Sequence, residues 1–257
     1  MRRKSLSVIV LTLAIPSVAH AAIITSVPAT ATSPAIAVYV AKPHGDGTYP
    51  AVLLLHGCEG FNGFEAVAAD RLAMHGYVAA AIDELGPRQP DGACGGERDG
   101  SIAEAVAARA TLAWLRTQPY VAADRLGIIG FSMGGNAALN LIDPIGPPSP
   151  VPAGLRVAIA FYPACEGRDG RVTVPLAIFD GDVDQITPAA PCASMVRAGS
   201  AAGKSLQITT YPGATHGFTV PGPDRTFFGQ PIRYDPTAAA DSTEKTAILL
   251  AQYLGKT

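Results

Sequence analysis

The chain has little charge, few aromatic residues and few sulfur ligands. Charged residues make up 16% of its 257 residues and aromatics 7%, and 19 Lys and Arg nearly balance 21 Asp and Glu. No basic run or patch stands out, which argues against a nucleic-acid partner. The four cysteines and five histidines contain no Cys-x-x-Cys and no Cys/His cluster at zinc spacing. No metal site is therefore expected, and no cofactor is called for. Past the N-terminus no run is long and apolar enough to span a bilayer. There is no internal repeat and no sign of a second domain.

What is present begins with an address. Arg2, Arg3 and Lys4 precede a short apolar stretch from Leu6 to Val18, and Ala19-His20-Ala21 puts small residues at the two positions a signal peptidase reads. Residues 1–21 are expected to be a signal peptide cut after Ala21, and residues 22–257 a single exported domain without a stable membrane anchor, periplasmic or extracellular. Removing the three basic residues takes the balance from 19 against 21 to 16 against 21, a net −5. Cys58, Cys94, Cys165 and Cys192 then form an even set in an oxidising compartment, which favours disulfides.

The rest alternates between strand and helix patterns. Ala22 to Pro34 reads as a loose lead-in and Ala35 to Ala41 as a strand. Ala51 to Leu55 is a continuous apolar run, the pattern of a parallel strand buried on both faces. A helix from Phe64 to His75 follows, stopped by Gly76, and then a strand from Tyr77 to Ile82. A loop dense in Gly and Pro leads to Ser101, which with Glu104 predicts a capping box for the next helix. Strands are predicted at Leu155 to Phe161, Val174 to Phe179 and, last, Leu206 to Tyr211. Helices are predicted at Pro188 to Ala202 and from Pro236 to Leu254, the latter capped by Asp235. Pro144 to Pro152 is either a rim over the site or a stiff connection. This order predicts an α/β fold with a mostly parallel central sheet and helices on both faces, in which ligands bind at the carboxyl ends of the strands.

The chain is organised around Gly130-Phe131-Ser132-Met133-Gly134, with a strand before it and a helix after it. That context holds a serine on a sharp turn, its hydroxyl clear of the sheet. A serine hydroxyl needs a base, and His216 is the one histidine that follows it in the chain. Of the acids between them, Asp184 in Gly181-Asp182-Val183-Asp184 lies past the appropriate strand, with Asp182 as the alternative. The backbone N–H groups of Met133 and Cys58 are the expected oxyanion donors. His56 precedes the serine, so it is assigned to hydrogen bonding within its own loop.

These residues resemble the dienelactone hydrolase family. The resemblance runs from His56-Gly57 through Gly76-Tyr77, Asp124-Arg125, the Ser132 motif and Gly181-Asp182-Val183-Asp184 to His216-Gly217-Phe218. It implies the α/β-hydrolase fold and an ester-cleaving Ser132–His216–Asp184 triad acting on a small-molecule ester or lactone. Two departures stand out: members that open dienelactones use a cysteine where this chain has Ser132, and carry a glutamate where it has Gly57. The serine-bearing, exported branch is the better match. Thioesterase, peptidase or polyester hydrolase activity on the same triad, or an inactive binding protein, are the competing readings. Loops on neighbouring strand ends favour the disulfides Cys58–Cys94 and Cys165–Cys192. Phe61, Tyr162 and Phe218 are candidate pocket walls, with Phe64, Phe227, Phe228 and Tyr234 as further ones. Arg88 is a candidate for a substrate carboxylate, or a structural ion pair.

Overall fold

The apolar run at 51–55 becomes the middle of a sheet. In the computed structural model, which describes residues 21–86, 93–94, 100–143 and 150–255, β3 (Tyr49–Leu55) is flanked by β4 (Val78–Asp83) and β5 (Val121–Phe131). Ala51, Leu53 and Leu55 point into one core layer, Val52 and Leu54 into the other. A strand covered on both faces has no polar side to show, which is why its sequence does not alternate.

Six strands run parallel in the order β4-β3-β5-β6-β7-β8, with β6 at Leu155–Phe161, β7 at Leu176–Gly181 and β8 at Leu206–Tyr211. Two antiparallel strands, β1 (Ala21–Val27) and β2 (Ile36–Lys42), extend the β4 edge. One face is covered by α1 (Gly63–Met74) and α5 (Pro236–Leu254), through Ala69, Ala73, Leu249, Leu250 and Leu254. The other is covered by α2 (Gly100–Leu115), α3 (Met133–Ile142) and α4 (Ala189–Ala201), through Leu112, Leu139, Ile142 and Met195. Asp235 caps α5 as expected, accepting from the N–H groups of Thr237 and Ala238. Among the described residues no helix is long and apolar enough to cross a membrane.

Three expectations need correction. The lead-in at 22–34 contains the edge strand β1. It pairs with β2 from Ala21↔Lys42 to Val27↔Ile36, with Ile23 and Ile24 exposed and Val27 buried in the core, so backbone pairing and one buried end hold it. Ser101 is not an N-cap: it lies inside the first turn of α2, buried, and its Oγ accepts from Asn140 Nδ2. The capping box forms instead on α1, where Asn62 Oδ1 accepts from Phe64 N–H and Glu65 Oε2 accepts from Asn62 N–H. Finally, β8 is not the last strand. A short hairpin, β9 (Arg225–Phe227) and β10 (Gln230–Ile232), follows the histidine loop. Arg88 and the stretch 144–149 of the proline-rich loop lie outside the described residues, as does most of the expected signal peptide.

Candidate active site

Ser132 stands between β5 and α3 with φ 52° and ψ −113°, a backbone conformation that a residue with a side chain adopts only when its surroundings enforce it. The neighbouring glycines show the enforcement. A Cβ on Gly130 would lie 2.0 Å from the Gly134 carbonyl oxygen, and one on Gly134 would lie 2.4 Å from the Leu55 carbonyl oxygen. Strand, turn and helix can approach this closely only without side chains there. The Ser132 N–H donates to the Phe161 carbonyl at 2.9 Å, fastening the turn to β6.

The loop after β8 brings His216 back to this turn. Its Nε2 lies 2.9 Å from Ser132 Oγ, and its Nδ1 lies 2.7 Å from Asp184 Oδ2. The carboxylate can only accept, so the ring carries its proton on Nδ1 and leaves Nε2 free to accept from the serine. Asp184 follows β7 and is itself held. Its Oδ1 accepts from the N–H groups of Ile186 and Thr187, at 2.8 and 2.9 Å, and Thr187 Oγ1 lies 3.0 Å from its Oδ2. Thr187 Oγ1 is also 3.0 Å from His216 Nδ1 and from the Tyr162 carbonyl oxygen. Asp184 and His216 are both nearly sealed from solvent. The alternative acid, Asp182, faces away and accepts from the Gly213 N–H at 2.6 Å, closing a turn.

The loop after β3 lies on the opposite side of the serine. His56, fully buried, has its Nδ1 2.7 Å from the Gly57 carbonyl oxygen. That oxygen accepts the ring proton, and burial lowers the His56 pKa, so the ring is neutral. The Gly57 carbonyl and the Cys58 N–H belong to one planar peptide, so the bond that holds the first orients the second. Glu104 of α2 packs against the same ring, Oε1 to Nδ1 3.6 Å, and its burial raises its pKa well above the carboxylate range.

The disulfides are Cys58–Cys94 and Cys165–Cys192, each with Cα atoms 4.9 Å apart. The first pins the loop bearing Cys58. The second ties the loop after β6 to the body of α4, where Cys192 is buried, rather than to another loop.

An open cleft runs from Ser132 and His216 past Phe64, Phe131, Tyr162, Val220, Phe227 and Ile232. Of the candidate walls, Tyr162 lines the cleft, with its ring edge-on to His216 at 4.8 Å between centroids. Phe64 and Phe227 line it too. Phe218 does not: it is wholly buried between Tyr162 and Tyr211. Phe61 packs on Tyr39, outside the cleft. Phe228 and Tyr234 are exposed. Four polar residues of the site went unnoticed in the sequence: Thr187, Glu65, and the pair Glu59–Arg225. Glu59 and Arg225 meet through two bonds, at 3.0 and 3.3 Å, across the cleft's edge. The Asp-x-x-Thr and Asn-x-x-Glu spacings were visible signals for the first two, but each is an ordinary turn or cap pattern until the fold places it.

Known proteins share this architecture and sequence. A model of the dienelactone hydrolase family matches residues 36–254. The chain is 28% identical over 236 residues to the "Probable 2-oxo-3-(5-oxofuran-2-ylidene)propanoate lactonase" of Bradyrhizobium sp., covering 84% of this chain and 89% of that one. It is 30% identical over 176 residues to Cutinase 1 of Thermobifida cellulosilytica, 68% of this chain and 63% of the cutinase. Its fold superposes on the crystal structure of the dienelactone hydrolase-like promiscuous phosphotriesterase P91, from metagenomic libraries. That match has a TM-score of 0.72 over 92% of this chain and 100% of that one, at 22% identity.

Proposed function

The chain belongs to the dienelactone hydrolase family of ester and lactone hydrolases, and from that premise we propose that it is a serine esterase working through an acyl-enzyme. The observation that carries this reading is the continuous relay from Ser132 Oγ through His216 to Asp184, at 2.9 and 2.7 Å. Ser132 attacks the ester carbonyl as His216 Nε2 takes its proton. The carbonyl oxygen becomes an oxyanion held by the N–H groups of Cys58 and Met133, the second at the positive end of α3. His216, now an imidazolium stabilised by Asp184, returns the proton to the leaving alcohol. Water then attacks the acyl-serine with His216 again as base, and the acid product leaves.

A cleft walled by Phe64, Phe131, Tyr162 and Phe227 beside Ser132 supports esters or lactones of modest size as substrates. Hydrolysis of a polyester is a second reading, supported by the cutinase relatives and the openness of the cleft. A panel of p-nitrophenyl acetate, a small lactone and a soluble polyester fragment ranks the two. We also propose that residues 1–21 direct export and are removed after Ala21. This cut leaves β1 all but its first residue and places both disulfides in an oxidising compartment; N-terminal sequencing of the secreted protein checks it. For the chemistry, Ser132→Ala should lose on the order of 10³-fold or more in ester kcat and all labelling by a fluorophosphonate. Full turnover by that variant would sink the proposal.

A further inference from the structure

Among the described residues that line the cleft, one carboxyl takes no part in the proposed chemistry and is matched by no cation. Glu65, at the third position of α1, is 2% exposed yet lines the cleft together with Ser132, His216 and Tyr162. Its Oε2 accepts from the Asn62 N–H at 3.0 Å, completing the helix cap. That bond satisfies part of one oxygen and brings no positive charge.

The other charges of the cleft are already matched. Arg225 is engaged by both carboxylate oxygens of Glu59, and His216 is paired with Asp184. Among the described residues Glu65 has no cationic partner. The groups that face it add none: Glu59 on its own loop and Glu104 on α2 are acids, Tyr162 after β6 is a phenol, and Arg225 on β9 is already paired. An ionised carboxyl in this place lacks both water and a counter-charge, and desolvation by burial accordingly pushes its pKa up to about 7. A bound cation would supply the missing charge, whereas a bound anion would face uncompensated repulsion in a partly dry site.

We propose that Glu65 is a specificity-determining residue that makes this esterase favour esters bearing a positive charge over uncharged ones, and uncharged over anionic ones. The proposal rests on the esterase reading and names the substrate class of that same site.

The test uses three acetate esters matched in size: acetylcholine, its uncharged isostere 3,3-dimethylbutyl acetate, and an analogue ending in a carboxylate. The readout is the ratio of kcat/KM for each charged ester to that for the uncharged one. For any ester not turned over, the readout is its inhibition constant against p-nitrophenyl acetate. Glu65→Gln is the decisive variant, because glutamine keeps the volume and the cap to Asn62 and removes only the charge. The cationic-to-uncharged ratio is expected to fall about tenfold in the variant, and the anionic-to-uncharged ratio to rise. Asp124→Asn, which removes an exposed charge far from the cleft, should leave both ratios alone. In the unaltered protein the cationic-to-uncharged ratio should climb between pH 6 and pH 8 as Glu65 ionises, since any effect of pH on the shared chemistry acts on all three esters and cancels. Equal ratios in parent and Glu65→Gln, a ratio flat with pH, or a preference for the anionic ester would each overturn the proposal. Ser132→Ala tests the esterase reading separately: loss of all turnover there, with unchanged ratios in Glu65→Gln, leaves that reading standing and removes this one.

Discussion

At the scale of single residues, the site turns on which acid holds the histidine. Asp182 and Asp184 are two positions apart on one turn, and their composition cannot rank them. Their contacts can. Asp184 takes two backbone N–H bonds on one oxygen and His216 on the other, whereas Asp182 closes its turn through Gly213. Asp184→Asn should therefore lower kcat by roughly 10²- to 10⁴-fold with little change in KM, since it disturbs the tautomer and the imidazolium rather than substrate binding. Asp182→Asn should stay within about threefold of the parent, a loss no larger than a loosened turn explains. Steady-state kinetics on the two variants decide the assignment. That Ser132, Asp184 and His216 each follow a strand in that chain order was readable in the sequence; that their side chains meet is seen in the fold. Thr187 was not readable, because its hydroxyl sits beside Asp184, His216 and the Tyr162 carbonyl only once the fold brings the last two, 29 and 25 positions away, to it.

Elements were legible where burial on both sides leaves a continuous apolar run, as in β3, or where a cap names itself, as Asp235 does for α5. They were misread where one local pattern has two outcomes. Ser101-x-x-Glu104 and Asn62-x-x-Glu65 are the same kind of signature. The first is buried under α3 and beside His56, so its side chains turn to those neighbours, and only the second acts as a cap. The β9–β10 hairpin was missed because strands of three residues carry too little pattern to read. The Cys165–Cys192 bond has a consequence at this scale. It spans 27 positions, so replacing both cysteines by alanine should cost about 3 to 4 kcal/mol by the loop-entropy relation. Urea denaturation of the double variant against the parent measures it.

For the whole molecule, buried acids set the response to pH. Asp180, at the end of β7, is fully buried; its Oδ1 accepts from the Gly181 N–H while Oδ2 has no partner among the described residues. Desolvation first, and then the charge of Asp184, pushes its pKa up to about 8. Between the ordinary carboxylate value and that one, the folded protein holds a proton that the unfolded chain releases. The native state therefore binds more protons, and stability falls as pH rises from about 4 to about 8, by at most roughly 1.4 kcal/mol per unit from this group. Glu65 and Glu104 act in the same direction. Asp180→Asn removes the cost, so its denaturation midpoint should match the parent near pH 4 and exceed it progressively up to pH 8. A gap that closes with rising pH would contradict the assignment.

By itself, the sequence determined the sheet-and-helix order, the family resemblance, the serine turn and the histidine, because these follow from local periodicity, from glycines that tolerate no Cβ, and from chain order. Only the tertiary structure decided which charges meet. It put Glu65 in the cleft and Glu104 beneath it, closed Glu59 onto Arg225 from 166 positions away, and moved Phe218 from the expected wall into the core. Such choices depend on which side chains lose water together when the layers close, and no stretch of chain contains that information alone.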